Sequence, residues 1–144
     1  MKRRLRNTRR GFTIIEVIVI VVILGVIAAV IAPRLLGRVG QSKRAVAQSN
    51  ATALSTAMKL FANDHGMPEA GSSIMILWER PPNVEESAWS PYVDNADALK
   101  DPWGNLFVLD IPGNVNVDFD IVSYGKDGQK GGDGENEDVI AGKR

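Results

Sequence analysis

The sequence predicts an α+β protein in which one long N-terminal helix, its first half transmembrane, packs on a small antiparallel sheet that precedes an acidic C-terminal loop. Three observations support this fold class. An apolar run extends from Phe12 to Ala32 with Glu16 as its one charged residue, residues 41–63 are rich in helix formers, and short β-type runs follow residue 105. The length of 144 residues favours a single small globular domain beside the membrane segment.

The apolar run is long enough to cross a membrane as a helix. About 20 residues at a rise of 1.5 Å span the hydrocarbon core of a bilayer, whereas a buried strand of this length would be unusual. Pro33, Gly37 and Gly40 follow the run and disfavour helix locally, so a kink or partial melting is expected there before the helix resumes.

A basic leader precedes the apolar run. Residues 1–10 carry six basic side chains and no acidic one, which places the N-terminus in the cytoplasm. A secretory signal has its cleavage site after a shorter apolar region, whereas the small residue Gly11 lies before this one. Cleavage after Gly11 would leave the new amine of Phe12 near Glu16 of the same or a neighbouring copy; alternatively, Glu16 lies in the headgroup zone near the helix N-terminus.

Charge and cysteine content limit the functions to consider. The chain has 17 basic and 17 acidic residues, and because the leader is purely basic, the remainder is acidic. This argues against nucleic-acid binding. The chain has no cysteine, so an exported domain cannot use a disulfide for stability, and a metal could take that role.

The second half of the helix is predicted to pack through one apolar stripe and to end near Gly66. The single histidine, His65, is expected to interact with the terminal carbonyls of the helix rather than to bind a metal. The apolar stripe of this half of the helix consists of Val39, Val46, Leu54, Ala57 and Phe61.

After the helix, a short helix or turn is expected to pack Leu77 and Trp78 against the long helix.

Two strands are predicted after a tight turn at residues 101–105, in which Trp103 is expected to anchor the core. The strands are residues 106–109 and 117–124. In the second strand, alternation predicts that Val117 faces the core, while Asp118 and Asp120 face solvent. No nucleophile with an accompanying base is apparent, so the sequence does not indicate an enzyme.

Residues 124–138 contain five carboxylates and five glycines, a composition that suits a hard cation such as Ca²⁺. The spacing from Asp127 to Asp138 superficially matches an EF-hand. However, Gln129 and Gly131 occupy ligand positions and no helix is predicted afterwards, so an EF-hand is rejected. The alternative is a solvated acidic tail.

The junction Gly11-Phe12-Thr13-Ile14-Ile15-Glu16 resembles the class III signal of type IV pilins and of type II secretion pseudopilins. The resemblance implies that a prepilin peptidase cuts after Gly11 and methylates the amine of Phe12. It further implies that Glu16 directs filament assembly and that Pro33 matches a helix-kinking proline. The implied divisions are a leader (residues 1–11), a transmembrane assembly helix (12–33) and a periplasmic type IV pilin-like domain (34–144).

The turn at residues 101–105 and the acidic loop resemble those of major pseudopilins, whose loop binds calcium. By that resemblance Asp127 is the first carboxylate ligand, and Tyr124 and Gln129 offer backbone carbonyl oxygens. The remaining ligands are expected within the acidic cluster, among Glu135, Asn136 and Asp138.

The resemblance implies a major pseudopilin that polymerises into a periplasmic pseudopilus and drives export by type II secretion. A type IV pilin or competence pilus subunit is the alternative, and a membrane-anchored calcium-dependent enzyme is a third reading with little support. The implied partners are further copies of the chain, minor pseudopilins, the inner-membrane assembly platform, prepilin peptidase and the lipid bilayer, with no nucleic acid. The implied location is the inner membrane, with the globular domain in the periplasm.

Overall fold

The structure is a computed structural model that describes residues 11–143, with the side chains of residues 34–36 left aside. The basic leader therefore lies outside the described residues, apart from Gly11. The chain forms two compact units, Met1–Arg38 and Val39–Arg144. Its main elements are the helix α1 (Ile14–His65) and the strands β1 (Val108–Asp110), β2 (Asp120–Ser123) and β3 (Val139–Ile140), with short 3-10 helices at Ile74–Leu77, Glu86–Ala88, Ala96–Leu99 and Gly134–Asn136.

The first part of α1 exposes every apolar side chain that it carries. All residues from Ile14 to Pro33 are exposed, and by length and composition the helix is apolar enough to cross a membrane. The expected melting near Pro33 is wrong, because α1 is unbroken from Ile14 to His65. A proline removes one backbone donor from a helix, and one missing hydrogen bond does not end a helix of this length.

The second part of α1 buries one face against the globular unit. The expected stripe is partly wrong: Val39 is 53% exposed and Val46 is 47% exposed. The buried face is rotated by about one residue and uses small residues where the backbone comes close to its neighbours. Its members recur at helical spacing and are Gly40, Ala47, Ala51, Leu54, Met58 and Phe61.

The helix ends where the sequence indicates. Gly66 has φ of 87°, a left-handed conformation that a glycine adopts without steric cost, and its N–H donates to the Ala62 carbonyl at 2.9 Å. After it, the 3-10 helix Ile74–Leu77 buries Ile74 and Leu77, which confirms the expected short helix in this segment.

The sheet is an antiparallel meander in the order β1-β2-β3. Leu109 pairs with Ile121 and Ser123 pairs with Val139. The strands are shorter than the sequence predicts, because Leu106 forms only an isolated bridge with Lys100. With β2 between two partners, its four residues are all buried.

The core joins α1 to the sheet. Its largest buried members are Phe107, Met58, Ile74, Leu77, Leu99 and Ile121. Trp103, expected as a core anchor, is only half-buried and lies outside this cluster, so that expectation is wrong. The backbone closes the turn that carries Trp103, with the Asp101 N–H donating to the Asn105 carbonyl at 2.8 Å. The indole nitrogen of Trp103 is buried and has no hydrogen-bond partner among the described residues.

Alternation gave the wrong orientation at the start of the second predicted strand. Asp118 is exposed as expected, but Asp120 is only 1% exposed, and Val117 is 92% exposed. The reason is that β2 begins at Asp120, so Val117 and Asp118 belong to the preceding loop and have no strand periodicity.

Candidate functional site

The start of α1 forms a reciprocal cap between Thr13 and Glu16. The backbone N–H of Thr13 donates to Glu16 Oε2 at 2.8 Å, and the Thr13 hydroxyl donates to the same oxygen at 2.9 Å. In return, the Glu16 N–H donates to Thr13 Oγ1 at 3.3 Å. This is a capping box, in which two orphan donors of the first turn are satisfied.

The cap gives Glu16 a local partner within its own subunit. Gly11 and Phe12 precede the helix and are exposed, while cleavage after Gly11 stays a prediction. The carboxylate of Glu16 lies at this end of the helix, four residues after Phe12. The sequence-predicted junction residues therefore lie together at one end of an exposed apolar helix.

Three carboxylates of the acidic C-terminal loop have donors within the loop itself. Asp127 accepts from the Gln129 N–H at 3.1 Å, and both oxygens of Asp138 accept from the Gly131 N–H at 2.9 and 3.0 Å. The Glu135 carboxylate lies 2.9 Å from the Lys126 ammonium.

The loop fits calcium in its donor chemistry, since carboxylate and carbonyl oxygens are the ligands that calcium prefers. Among residues 11–143, the structure gathers no group of three or more His, Cys, Asp or Glu side chains that could hold a metal ion. The candidate ligands Asp127, Asp138, Glu135, Asn136, Tyr124 and Gln129 therefore remain a prediction.

The sequence did not predict a buried hydrogen-bond network that holds the start of the acidic loop. Asp101 accepts from the Ser123 hydroxyl at 2.6 Å and from the N–H groups of Trp103 and Asn105. The Asn105 side chain then donates to the Gly125 carbonyl at 2.8 Å. The turn at residues 101–105 is thereby tied to the residue at which the acidic loop begins. An aspartate two residues before Trp103 is the sequence signal for the turn, but nothing in the sequence identifies Ser123 as its partner.

A second missed network fastens the end of the loop. Asp120 accepts from the N–H groups of Asn114, Val115 and Asn116 and from the Asn116 side chain, at 2.6 to 2.9 Å. Asn116 also donates to the Ala141 carbonyl at 3.0 Å, just after β3. Burial alone would raise the pKa of Asp120, but the hydrogen bonds from Val115, Asn116 and Asn114 outweigh it and hold the pKa below its ordinary value.

His65 packs in an aromatic cluster rather than on helix carbonyls. Its ring centroid lies 5.2 Å from that of Phe61 and 6.0 Å from those of Trp89 and Tyr92. The Tyr92 hydroxyl donates to Asp64 at 2.7 Å. Burial, followed by this bond and the Asp64 charge, raises the pKa of Tyr92 to about 12, and the same bond lowers the pKa of Asp64. Phe61 and His65 of this cluster also line a cavity of about 530 Å³.

Comparison with family models matches nearly all of the described chain. Residues 34–142 match the model for type II secretion system protein G, and residues 6–32 match the prokaryotic N-terminal methylation motif. The boundary between the two matches falls next to Pro33, where the exposed apolar part of the helix ends.

Curated relatives carry the same name in several bacteria. The chain is 32% identical to the type II secretion system core protein G of Pseudomonas aeruginosa over 93% of this chain and 95% of the relative. It is 33% identical to that of Vibrio cholerae over 96% of this chain and 94% of the relative.

A solved structure with the same fold is the major pseudopilin of the type 2 secretion system of enterohaemorrhagic Escherichia coli. The match has a TM-score of 0.57 and 25% identity, and it covers 75% of this chain and 93% of the other. The long helix with its small antiparallel sheet is therefore the fold of that pseudopilin, which confirms the predicted fold class.

Proposed function

The chain belongs to the type II secretion system protein G family, and from this premise we propose that it is a major pseudopilin, a structural subunit that polymerises into the pseudopilus. The names of its relatives support this function over the alternative of a type IV pilin or competence subunit. The role is structural rather than catalytic, in keeping with the family.

One observation carries the proposal: the helix from Ile14 to Pro33 is apolar on every side and wholly exposed. A helix that is hydrophobic all round needs lipid or other helices around it. A single subunit satisfies this need in the bilayer, and a filament satisfies it by bundling the same helices from many copies. One segment thus serves as the membrane anchor and then as the filament core.

The proposed topology follows from the charges at the two ends of that helix. The basic leader stays in the cytoplasm, and the acidic globular unit crosses to the periplasm. Prepilin peptidase would remove residues 1–11 and methylate Phe12. The filament would then grow from the inner-membrane assembly platform, with minor pseudopilins as further partners.

The assembly role of Glu16 is tested first with a variant that removes both its charge and its capping function. Glu16→Ala removes both and is expected to abolish filaments while processing and membrane insertion continue. Processing is read by mass spectrometry of the N-terminus, insertion by membrane fractionation and filaments by electron microscopy.

Two further variants distinguish the charge from the cap. Glu16→Gln keeps a side chain that can cap the first turn but carries no charge. Thr13→Ala keeps the charge but removes both hydrogen bonds of the Thr13 hydroxyl in the cap. If charge pairing drives assembly, Glu16→Gln fails like Glu16→Ala, whereas Thr13→Ala forms filaments. Normal filaments from Glu16→Ala would refute the assembly role altogether.

We also propose that calcium binds the acidic loop through Asp127 and Asp138, with further oxygens from Glu135, Asn136, Tyr124 and Gln129. Support comes from the all-oxygen donor set and from five carboxylates within residues 124–138, which repel one another when no cation is bound. The ion would stabilise a C-terminal region that has no disulfide.

The calcium proposal is tested by thermal unfolding of the full chain in detergent. Calcium at about 100 times its Kd adds about 2.7 kcal/mol to the free energy of unfolding, so chelation should lower Tm by roughly 10 °C. Asp127→Ala should remove this difference, while Asp118→Ala, an exposed aspartate outside the loop, should retain it. Equal Tm values for the unmodified chain with calcium and with chelator would reject calcium binding.

A further inference from the structure

The C-terminal segment contacts one face of α1 at three successive turns. Gly40, Arg44 and Gln48 are spaced by four residues and therefore lie along one face of the helix. Each of them contacts a residue between Glu135 and Ile140. All six residues belong to the globular unit, which begins at Val39.

The first contact depends on the missing side chain of Gly40. A Cβ at this position would lie 2.7 Å from Glu135 Oε1 and 2.8 Å from Glu135 Cγ, closer than real Cβ atoms come. Gly40 is buried by this approach, and Glu135 is in turn held by Lys126. A glycine that lowers helix propensity thus permits the C-terminal segment to lie directly on the helix.

The other two contacts are polar. The Arg44 guanidinium lies 2.7 Å from the Glu137 carboxylate, with both side chains partly exposed. One turn later, the Gln48 side chain donates to the Ile140 carbonyl at 3.0 Å, which fixes β3 to the helix. Together the three contacts set both the distance and the register between the segment and α1.

We propose that residues 135–140 act as a latch that orders α1 where it enters the globular unit. The helix is weak here, because Gly37 and Gly40 lie within a single turn of each other and Pro33 precedes them. The latch supplies contacts that this stretch of helix cannot make within itself. The release of its contacts with α1 would loosen residues 40–48, while the β1–β2 pair and the core further along the helix stay in place.

The latch also couples the order of the acidic loop to the order of the helix. Glu135 and Glu137 flank Asn136 at the end of the loop, so a change in loop order is transmitted to Gly40 and Arg44. This coupling rests on the proposed calcium site, whereas the latch itself does not. A cation that orders the loop would thereby strengthen the helix at the start of the globular unit.

The latch is tested by hydrogen–deuterium exchange of the full chain in detergent, in the presence of a calcium chelator. Gly40→Ala displaces Glu135, and amides in residues 41–48 should exchange roughly tenfold faster. Gly37→Ala is the matched control, because among the described residues nothing lies within 4 Å of its Cβ position. Alanine is the better helix former at both positions, so a pure propensity effect would slow exchange in both variants.

The ion pair between Arg44 and Glu137 is tested by charge reversal, with hydrogen–deuterium exchange as the measurement. Arg44→Glu and Glu137→Arg should each accelerate exchange in residues 41–48, and the double variant should restore it. The β2 amides report whether the globular unit stays folded in every variant. Slower exchange in both glycine variants, or single reversals with no effect on residues 41–48, would overturn the latch.

The coupling between the loop and the helix is tested by adding calcium in the same exchange experiment. In the unmodified chain, calcium should slow exchange both in residues 125–138 and in residues 41–48. Arg44→Ala removes the contact to Glu137, which is not a candidate ligand, and should keep the first effect and weaken the second. Protection of the loop alone in the unmodified chain would overturn the coupling. If calcium protects neither region, the calcium proposal fails, whereas the latch is decided by the variants in chelator.

Discussion

The two units of this chain differ in how far they bury apolar and acidic residues. The helix from Ile14 to Pro33 is rich in valine and isoleucine and buries none of them, whereas the helix face from Gly40 to Phe61 is buried and includes glycine and alanines. Acidic residues differ as well. Glu16 is satisfied by Thr13 in its own first turn, whereas Asp120 is buried beneath three consecutive backbone N–H groups.

This difference shows that burial within a subunit follows from available partners rather than from apolar content. The globular unit supplies partners for its helix in the sheet and loops, so even small side chains become buried. Among its described residues, the N-terminal unit supplies none to its own helix, and the apolar surface of that helix is therefore available to lipid or to other copies. Under the proposed function, stability belongs mainly to the globular unit and assembly to the N-terminal one.

The largest difference is expected when one apolar residue is truncated in each unit. Met58 is fully buried and Ile23 is 52% exposed. Met58→Ala should lower the free energy of unfolding of the globular unit by about 3 kcal/mol, because it leaves a cavity in the core. Ile23→Ala should change it by less than about 0.5 kcal/mol.

Urea unfolding of the full chain in detergent, followed by tryptophan fluorescence, measures both values. Equal losses in the two variants would mean that the N-terminal unit contributes to the fold of the globular one, and the separation of roles would then be wrong.

A comparable effect is expected at the buried carboxylate. Asp120→Ala leaves buried donors of residues 114–116 without their acceptor and should cost about 3 kcal/mol. Asp118→Ala, two residues earlier and exposed, should cost less than about 0.5 kcal/mol. The same urea experiment compares them, and a similar cost for both would refute the structural role of Asp120.

The depressed pKa of Asp120 makes part of this stability dependent on pH. Because the folded pKa lies below the unfolded one, the contribution is fully present above about pH 5 and is lost as the pH falls through the folded pKa. Asp120→Asn, with no charge to lose, should therefore lose less stability than the unmodified chain on acidification. Parallel pH profiles for the two proteins would contradict the assignment.

The smallest effect is expected at the rim of the globular unit. Tyr92→Phe removes the hydrogen bond to the exposed Asp64 and should cost about 1 kcal/mol or less. Because the pKa of Tyr92 is raised from 10.0 to about 12, its contribution is fully present below pH 10.0 and is lost as the pH rises towards the folded value. Tyrosinate absorbance during an alkaline titration measures the shift, with the Tyr92→Phe variant as the reference for Tyr124. If Tyr92 titrates near 10.0 in the folded chain, the raised pKa is ruled out.

Local sequence patterns predicted the secondary-structure elements better than they predicted which face of each element is buried. The stop at Gly66 and the short helix at Ile74–Leu77 follow from turn residues and apolar clusters, which act over a few positions. The rotation of the buried face away from Val39 and Val46 could not be predicted, because a helix packs through the face that fits its neighbours and not through its most apolar one. Likewise, alternation predicted that Asp120 is exposed, but β2 lies between two partner strands and buries all four of its residues.

The sequence by itself determined the membrane-length helix, the N-terminal methylation motif around its start and the acidic loop, because each is a run of neighbouring residues. Only the tertiary structure decided what holds the globular unit together: Ser123 on Asp101, Asn116 on Ala141 and Glu135 on Gly40. These partners lie 22 to 95 positions apart in the chain. A polar or small residue indicates that a contact is possible, but its partner is chosen by the fold that brings the two together.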